Sequence, residues 1–212
     1  MTISTLMRTI LFFLSLGAVV NAATTVNSAF MVSTTVPDNS IIGLADTRAI
    51  VSNITSITSV NIAITLAGGW NGDLYAYVSH ASGFCVLLNR PGRSAALPDG
   101  SSSSGFDIRF TEAATADVHT SIPGNGLVTG DYQPDARNED PLRVLDTSLR
   151  SAFLGSFTGL DPNGDWTLFV ADISPGGTTV VENWTLTITG VPEPTSGLLV
   201  AYSALLLFIR RR

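Results

Sequence analysis

The feature that most constrains the fold of this chain is a strict alternation of apolar and polar residues near the end of its body. Trp184, Leu186 and Ile188 form one face of this segment, and threonines occupy the positions between and after them. A period of two places successive side chains on opposite faces of a β-strand. No long 3.6-residue pattern runs between the two hydrophobic ends of the chain. The body is therefore predicted to be all-β.

The same alternation recurs at three other places, and turn residues separate these segments. Their apolar positions are Val60, Ile62, Ile64 and Leu66; Phe106, Ile108 and Phe110; and Trp166, Leu168 and Val170. Glycine, asparagine and aspartate cluster between them, as in residues 71–73 and 163–165, and these residue types favour turns. Such a pattern predicts one antiparallel β-sandwich over residues 23–190, a length that provides room for a real core.

Two stretches of the body repeat one another. Asp165-Trp-Thr-Leu-Phe-Val and Asn183-Trp-Thr-Leu-Thr-Ile each begin a strand with a tryptophan. A tryptophan there fills core and can place its N–H at the end of the sheet, so Trp166 and Trp184 are predicted core residues. We predict that the two strands pair with each other across the loop from Ala171 to Glu182.

The N-terminus has the composition of a secretory signal peptide. A short segment with one positive charge, Met1 to Arg8, precedes an apolar segment from Ile10 to Val20, and small residues follow at Ala22 and Ala23. This order predicts a signal helix over residues 1–22, export, and cleavage near Ala22 or Ala23. The alternative is a buried N-terminal helix.

The last 22 residues combine three elements that together indicate a membrane-associated segment. In order they are Val191, Pro192, Glu193 and Pro194; an apolar run from Gly197 to Ile209; and Arg210, Arg211 and Arg212. The apolar run is shorter than the ~20 residues that cross a bilayer comfortably, and residues 191–196 bring it close to that length. The arginines are predicted to stay in the cytoplasm, and the prolines keep the segment before the short transmembrane helix extended. An ordinary C-terminal anchor is the alternative.

This tail, residues 191–212, resembles the PEP-CTERM sorting signal, in which Pro-Glu-Pro, a short transmembrane helix and an arginine cluster follow one another. The resemblance implies that an exosortase in the inner membrane is the partner of this protein. It also implies cleavage near Pro192-Glu193-Pro194 and delivery to the cell surface or the extracellular polysaccharide matrix of a Gram-negative-type bacterium.

The body carries a second resemblance. Its motifs are Val36-Pro-Asp-Asn-Ser, Gly72-Asp-Leu-Tyr, Phe157, Asn163-Gly-Asp-Trp-Thr-Leu and Asn183-Trp-Thr-Leu. In order and spacing they resemble the P domain (Homo B domain) of proprotein convertases, over about residues 36–190. The resemblance implies a β-sandwich of jelly-roll type, related in shape to galactose-binding modules, with Asp73 among its motif residues. The polar segment from Ala113 to Leu149 departs from that pattern, and we expect an elaborated loop there.

The convertase P domain accompanies a subtilisin-like catalytic domain, for which this chain offers no sequence. The two histidines, His80 and His119, are the only imidazole bases, no Gly-x-Ser-x-Gly motif occurs, and the serines of residues 100–105 suggest a flexible loop. We therefore predict no enzymatic activity and no catalytic residues. A hidden Ser-His-Asp site is the alternative, and a peptidase assignment would be inherited from the domain alone.

Charge narrows the classes of ligand. All 11 basic residues are arginines, and seven of them lie between Arg8 and Arg210 with all 17 acidic residues, a balance of −10. Such a body repels phosphate backbones and anionic lipid, so nucleic acid is not an expected partner. Calcium and neutral sugars suit it better. The calcium candidates are Asp73, Asp107 and Asp172, although turn capping explains each aspartate equally simply.

Three aromatic residues and one thiol complete the candidates. Trp70, Tyr75 and Tyr77 are candidates for an aromatic surface that binds a sugar ring, and filling one face of the sandwich is the simpler alternative. Cys85 lies in an apolar strand, which predicts a buried, inert thiol. We interpret the chain as an exported, non-enzymatic surface or matrix protein, with no cofactor unless calcium binds and with exopolysaccharide among its expected partners. A carbohydrate-binding accessory module is the alternative.

Overall fold

The computed structural model describes residues 22–192. The predicted signal helix before Ala22, and the tail from Glu193 and Pro194 to Arg210, Arg211 and Arg212, lie outside the described residues. Within residues 22–192, no helix has the length and apolar character needed to cross a membrane.

The described chain folds into β-strands joined by turns, one short helix and two 3-10 turns. The strands are β1 (Thr24–Thr35), β2 (Ser40–Ile50), β3 (Ile54–Gly68), β4 (Leu74–His80), β5 (Gly83–Asn89), β6 (Phe106–Phe110), β7 (Val128–Tyr132), β8 (Gly164–Asp172) and β9 (Thr179–Pro192). Helix α1 spans Val118–Ser121, and the 3-10 turns span Asn71–Asp73 and Leu154–Phe157. The prediction of an all-β body is confirmed.

Two sheets form the sandwich. One has the strand order β1-β9-β3-β6-β7, and the other has the order β2-β8-β4-β5. Neighbouring strands are antiparallel except β6 and β7, which pair in parallel. The exception has a simple cause, because residues 111–127 provide the long crossover that a parallel pair requires. The predicted sandwich is therefore correct, and its purely antiparallel character is wrong at this edge.

The core lies between the two sheets and contains the alternating residues that the sequence indicates. The alternating apolar positions that the sequence indicates in β3, β6, β8 and β9 are at most 4% exposed. Trp166 and Trp184 are fully buried, as predicted. The Trp166 N–H donates to the Pro162 carbonyl at 2.9 Å, and the Trp184 N–H donates to the Asp46 carboxylate on β2 at 2.7 Å.

The predicted pairing between the two repeated stretches is wrong. β8 lies between β2 and β4, whereas β9 lies between β1 and β3 in the other sheet. The connection at residues 173–178 carries the chain from one sheet to the other. Each tryptophan must face the core, and two strands with this pattern satisfy that need equally well from opposite sheets.

The segment from Ala113 to Leu149 contains more structure than the elaborated loop that we expected. It includes α1 and strand β7, and the remainder packs along the exposed edge of β5, where Asp135 and Ala136 donate N–H groups to Leu87 and Val86. Sequence alternation does not reveal β7, because its Thr129, Gly130 and Asp131 are all exposed.

The sandwich has two ends with different content. At the terminal end, Thr24 of β1 pairs with Gly190 of β9, and Ile54 pairs with Pro192. At the opposite end, here called the cavity end, Gly68 pairs with Thr179 and Leu74 pairs with Asp172. The 14 residues of β9 separate the two ends by roughly 45 Å.

Candidate functional site

A cavity of about 420 Å³ opens at the cavity end of the sandwich. We call it the tip cavity, and its lining residues are Trp70, Asp73, Asp99, Gly100, Ser101, Ser102, Ser174 and Pro175. They come from three segments: the turn between β3 and β4, the loop before β6, and the turn between β8 and β9. Turns that converge at the end of a sandwich are a common place for a binding site.

Close backbone contact builds one wall of the tip cavity. The Gly72 N–H donates to the Ser101 carbonyl at 2.9 Å, and a Cβ on Gly72 would lie 2.5 Å from the Asp99 carbonyl oxygen. Glycine is needed here because no larger residue fits. The Asn71 side-chain amide donates to Ser103 Oγ and to the Gly105 carbonyl, both at 2.9 Å. The serine loop that we expected to be flexible is therefore partly buried and anchored.

Carboxylates dominate the polar groups at this end. Asp73 and Asp99 line the tip cavity. Asp38 and Asp172 lie nearby, since the charge of Asp38 raises the pKa of Asp73, and the charges of Asp73 and Asp38 raise the pKa of Asp172. Arg90 is the cation in contact with them: its Nη2 is 3.4 Å from Asp73 Oδ1, and its Nε–H donates to the Gly72 carbonyl at 2.8 Å. A second guanidinium, Arg93, is close enough that its charge lowers the pKa of Arg90, in addition to the larger effect of burial.

Burial perturbs two of these carboxyl groups. It raises the pKa of Asp172 to about 6, and the charges of Asp73 and Asp38 add to the rise, while the neighbouring Ser174 N–H and Thr179 hydroxyl oppose it. Burial also raises the pKa of Asp73, whereas Ser174 and Arg90 lower it. Asp172 is fully buried, and its Oδ1 makes no hydrogen bond within residues 22–192. This oxygen has almost no exposed surface, and Asp172 lies behind the residues that line the tip cavity.

Trp70 is the aromatic group of the site and is 47% exposed. Its ring lies against a glycine turn, since a Cβ on Gly177 would be 3.4 Å from Trp70 Cδ1. Gly177 has φ of +91°, a conformation that glycine adopts without strain. An exposed indole beside carboxylates can present an apolar face and attract a cation at the same time.

The predicted aromatic surface is divided between two places. Tyr75 and Tyr77 lie on the outer face of the β2-β8-β4-β5 sheet, where Tyr77 stacks on Phe169 at 4.8 Å between ring centroids and contacts Phe84 at 5.1 Å. Both tyrosines are half-buried in this cluster. Within residues 22–192, Trp70 makes no ring contact with them. The tyrosines therefore pack among neighbouring rings on their sheet face, which favours the simpler alternative, and sugar binding by the three residues together stays a prediction.

The three calcium candidates do not form one site. Asp73 and Asp172 lie at the cavity end. Asp107 is exposed on β6, where it pairs with Thr65 of β3, and this sheet is not the one that contains Asp172. Among the described residues, no three histidine, cysteine, aspartate or glutamate side chains are arranged to hold a metal ion. Calcium binding at any of the three candidates stays a prediction.

Both histidines are buried, and their ring nitrogens already have partners. His119 Nδ1 is 2.7 Å from Asp135 Oδ2, and Nε2 is 2.8 Å from the Arg93 carbonyl oxygen. His80 has its two nitrogens 2.8 and 2.7 Å from backbone carbonyl oxygens, and its ring stacks on Trp166. In a Ser-His-Asp triad, one histidine nitrogen faces a serine hydroxyl. Within the described chain, neither histidine has this geometry, because a backbone carbonyl or carboxylate oxygen lies against each of their ring nitrogens.

His119 belongs to a buried ionic cluster that the sequence does not reveal. Arg137 donates to Asp135 and Asp117, and Arg150 lies 3.7 Å from Asp117. Burial opposes the charged form of His119, but the hydrogen bond and charge of Asp135 outweigh it, so the pKa of His119 is raised. The acidic and basic members are scattered over residues 117–150 without a repeated spacing, so sequence alone gives no signal for the cluster.

Cys85 is fully buried, and burial raises its pKa well above the ordinary thiol value, as expected for an inert thiol.

Comparison with known proteins gives little further information. No protein-family model and no curated protein matches the chain. Among solved structures, the serine protease of Aeromonas sobria is 13% identical over 81% of this chain, with a TM-score of 0.46. A chain in the complex of that protease (ASP) with the chaperone (ORF2) is 16% identical over 80% of this chain, with a TM-score of 0.44. This chain covers 28% and 27% of those two chains, respectively.

Proposed function

We propose that this protein is an exported, non-catalytic β-sandwich of jelly-roll type, which an exosortase sorts through the C-terminal segment to the cell surface or extracellular matrix. A P-domain-like, galactose-binding-like body then acts there by binding or by structural contact. A peptidase term attached to such a body would describe the catalytic domain that accompanies convertase P domains.

One observation supports the proposal above the others: the described strands lie between the two expected processing points. β1 begins at Thr24, directly after the expected signal cleavage at Ala22 or Ala23. β9 extends to Pro192, which is the last residue that the structure describes and the first residue of Pro-Glu-Pro. Cleavage at both points would therefore leave the described strands complete.

The end of β9 is also held firmly in the sheet. β9 lies between β1 and β3, and the Thr55 hydroxyl donates to the Val191 carbonyl at 3.2 Å. A protease that cuts after Pro192 would release a body whose central strand keeps its hydrogen bonds. We therefore expect the mature C-terminus to lie beyond Pro192, at Glu193, Pro194 or Thr195.

The test is the intact mass and location of the native protein in strains with and without the exosortase, by fractionation and mass spectrometry. We expect a species that starts near Ala23, lacks Arg210 to Arg212 and leaves the inner membrane only when the exosortase is present. Replacing Glu193 by Ala should block this release, and Glu182→Ala, which removes an acidic residue from β9 itself, should not. A form that keeps its arginines in the inner membrane of both strains would mean an ordinary anchor.

A carbohydrate-binding module is the second candidate function, and the position of Trp70 at the tip cavity favours it. The structure changes which residues should be tested. Trp70 is exposed at the cavity, whereas Tyr75 is packed among other rings on a sheet face. Loss of glycan binding is therefore expected from Trp70→Ala and not from Tyr75→Phe.

A further inference from the structure

A sandwich of two sheets has four edge strands, and within the described chain they are β1, β2, β5 and β7. An edge strand presents backbone N–H and C=O groups with which another chain can pair. Natural proteins therefore protect their edges with charged residues, proline, bulges, short strands or a covering loop. Three of the four edges in this molecule carry such protection, and the first seven residues of β1 do not.

The three protected edges use different devices. On β5, the segment that contains Asp135 and Ala136 covers the edge by donating two backbone hydrogen bonds to the strand. β7 is five residues long and carries Asp131, which forms an ion pair with an arginine of β6. β2 has a bulge near its start and carries the ion pair between Asp46 and Arg48.

The unprotected segment of β1 is residues 24–30, here called the open edge. Its sequence is Thr-Thr-Val-Asn-Ser-Ala-Phe, with no charged residue and no proline, and it pairs with β9 in unbroken register. Within residues 22–192, β9 is the only strand that pairs with it. The open edge stops at the next residue, because Arg48 donates to the Met31 carbonyl at 3.0 Å and a bulge follows before Thr34.

The backbone groups that face outward on the open edge follow from these contacts. The Met31 carbonyl is directed to β2 and away from β9. Outward and inward groups alternate along an antiparallel strand, so the N–H and C=O groups of Thr25, Asn27 and Ala29 also point away from β9. The side chains agree with this assignment: the hydroxyl oxygens of Thr25 and its β9 partner are 3.1 Å apart, as expected for the closer, non-hydrogen-bonded pairs.

We propose that the open edge pairs with the open edge of a second copy of this chain, in antiparallel register about a two-fold axis at Asn27. In this register Asn27 faces Asn27 of the other copy, and Thr25 faces Ala29. The outward N–H and C=O groups of these three residues then all have partners. The ladder ends at Phe30, just before the position that Arg48 occupies, and the two five-stranded sheets join into one.

A second copy suits this edge because of its charge and its chemistry. The body carries a balance of −10, so two copies repel each other over most of their surface, whereas the open edge has no charge to repel its own image. An amide both donates and accepts hydrogen bonds, so the Asn27 side chain can bond its counterpart. A two-fold contact also occupies the open edge of both copies and therefore closes at the dimer.

The expected dimer is weak. Seven paired residues on the side of a two-sheet sandwich bury roughly 1,000 Å² in total, at the lower limit of specific interfaces. A dissociation constant in the micromolar range is therefore expected, and sedimentation velocity of the full chain, purified in detergent, over about 1–200 µM should measure it.

Disulfide trapping in the same full chain tests the register. The natural thiol, Cys85, is fully buried and does not compete. Asn27→Cys should form a disulfide between two copies, because a hydrogen-bonded antiparallel pair holds its Cα atoms about 5.5 Å apart, as a disulfide requires. Thr25→Cys alone should not, since the two copies of this residue lie about 15 Å apart. Thr25→Cys combined with Ala29→Cys should form the disulfide again.

A charge placed at the axis tests the interaction itself. Asn27→Asp sets two carboxylates opposite each other but keeps the oxygen that accepts from Thr187, and it should weaken the dimer by at least about tenfold. The matched control is Asn61→Asp. Asn61 pairs with the same Thr187 from the central strand β3, so this variant adds the same charge away from the edge. It should change the dissociation constant by less than about threefold.

Four results would each overturn the inference. A natural chain that stays monomeric over the whole concentration range would leave the open edge to a strand of another protein. A dimer that Asn27→Asp leaves intact would be held elsewhere, for example by the C-terminal segment. Trapping by Thr25→Cys alone would contradict the register, and species that grow beyond the dimer would indicate an aggregating edge. If thermal unfolding shows that Asn27→Asp does not fold, Ala29→Glu replaces it. None of these results depends on whether the exosortase processes the tail.

Discussion

The two ends of the sandwich are built from similar residue types, but they differ in whether the polar groups of those residues have hydrogen-bond partners. At the terminal end, both nitrogens of His80 face carbonyl oxygens, and the Asn163 side chain bonds the Ser52 N–H and the Ile54 carbonyl. The Trp166 N–H also reaches a carbonyl there. At the cavity end, Asp172 and Asn71 keep buried oxygens without donors, and Trp70 is exposed.

We infer from this difference that the terminal end is structural and that the cavity end is the better candidate for binding. Polar side chains that bond only the backbone hold a turn in place and have nothing left for a ligand. Carboxylates that line a cavity beside an exposed aromatic ring, as Asp73 and Asp99 do beside Trp70, can accept one. The terminal end therefore closes the sandwich between the two chain ends, and the cavity end is the place to look for function.

The largest expected effect contrasts two tryptophans. Trp166→Ala should destabilise the protein by about 4 kcal/mol, because it empties a fully buried site and removes the support of the His80 ring. Trp70→Ala should change the free energy of unfolding by no more than about 0.5 kcal/mol. Urea unfolding followed by circular dichroism measures both. Similar losses in the two variants would mean that the cavity end is also structural.

The buried ionic cluster should give the next largest effect. Asp135→Asn leaves the buried His119 and Arg137 without their shared carboxylate, and we expect a loss of about 3 kcal/mol near neutral pH. The variant should also lower the pKa of His119, because Asp135 is the group that raises it. Chemical unfolding measures the first result, and the pH titration of the His119 ring by NMR measures the second.

The sign of the pH dependence follows from the raised pKa of His119. The folded protein binds this proton more tightly than the unfolded chain does, so the stabilisation is complete below the ordinary histidine pKa of 6.5. It is lost as the pH rises through the raised value. Asp135→Asn should flatten this part of the stability profile. An unchanged profile would show that another group causes the pH dependence.

His80 tests whether the terminal end is as rigid as its hydrogen bonds indicate. His80→Phe keeps a ring against Trp166 but removes both nitrogens, which leaves the Asp161 and Asp165 carbonyl oxygens without this partner. We expect a loss of about 2 kcal/mol. Tyr77→Phe, which keeps the ring in the aromatic cluster, is the matched control. A loss no larger than the control would mean that solvent replaces the imidazole.

Alternation and turn residues were sufficient to predict the sandwich. The inward positions of β3, β6, β8 and β9 can be predicted because a buried face imposes a period of two. Strand pairing is harder to predict from sequence. Trp166 and Trp184 both face the core with a period of two but from opposite sheets, so the prediction that their strands pair was wrong. β7 was missed because it lies at a sheet edge with exposed residues.

The site was only partly predictable for a different reason. Asp73, Asp172 and Trp70 stand out as residue types, but what unites them is a three-dimensional meeting of turns far apart in the chain. Asp107 resembles Asp73 in sequence and lies on another face. Asp99 and Asp38 had no signal beyond their turns, and nothing local indicates that Asp172 would be fully buried.

The smallest expected effect is also the most direct test of the buried carboxyl group at the cavity end. Because burial raises the pKa of Asp172 to about 6 from an ordinary value of 3.8, the folded state favours the protonated form. The resulting stabilisation is present below about pH 4 and is lost as the pH rises through about 6. Asp172→Asn imitates the neutral form, so it should be more stable than the natural protein above pH 6, by about 1 kcal/mol, and equal to it near pH 4.

Thermal unfolding of the natural protein and of Asp172→Asn at the two pH values measures this difference. If Asp172→Asn is instead destabilising above pH 6, the hydrogen bonds that Ser174 and Thr179 donate to the carboxylate, or a bound cation, stabilise its ionised form by more than burial penalises it.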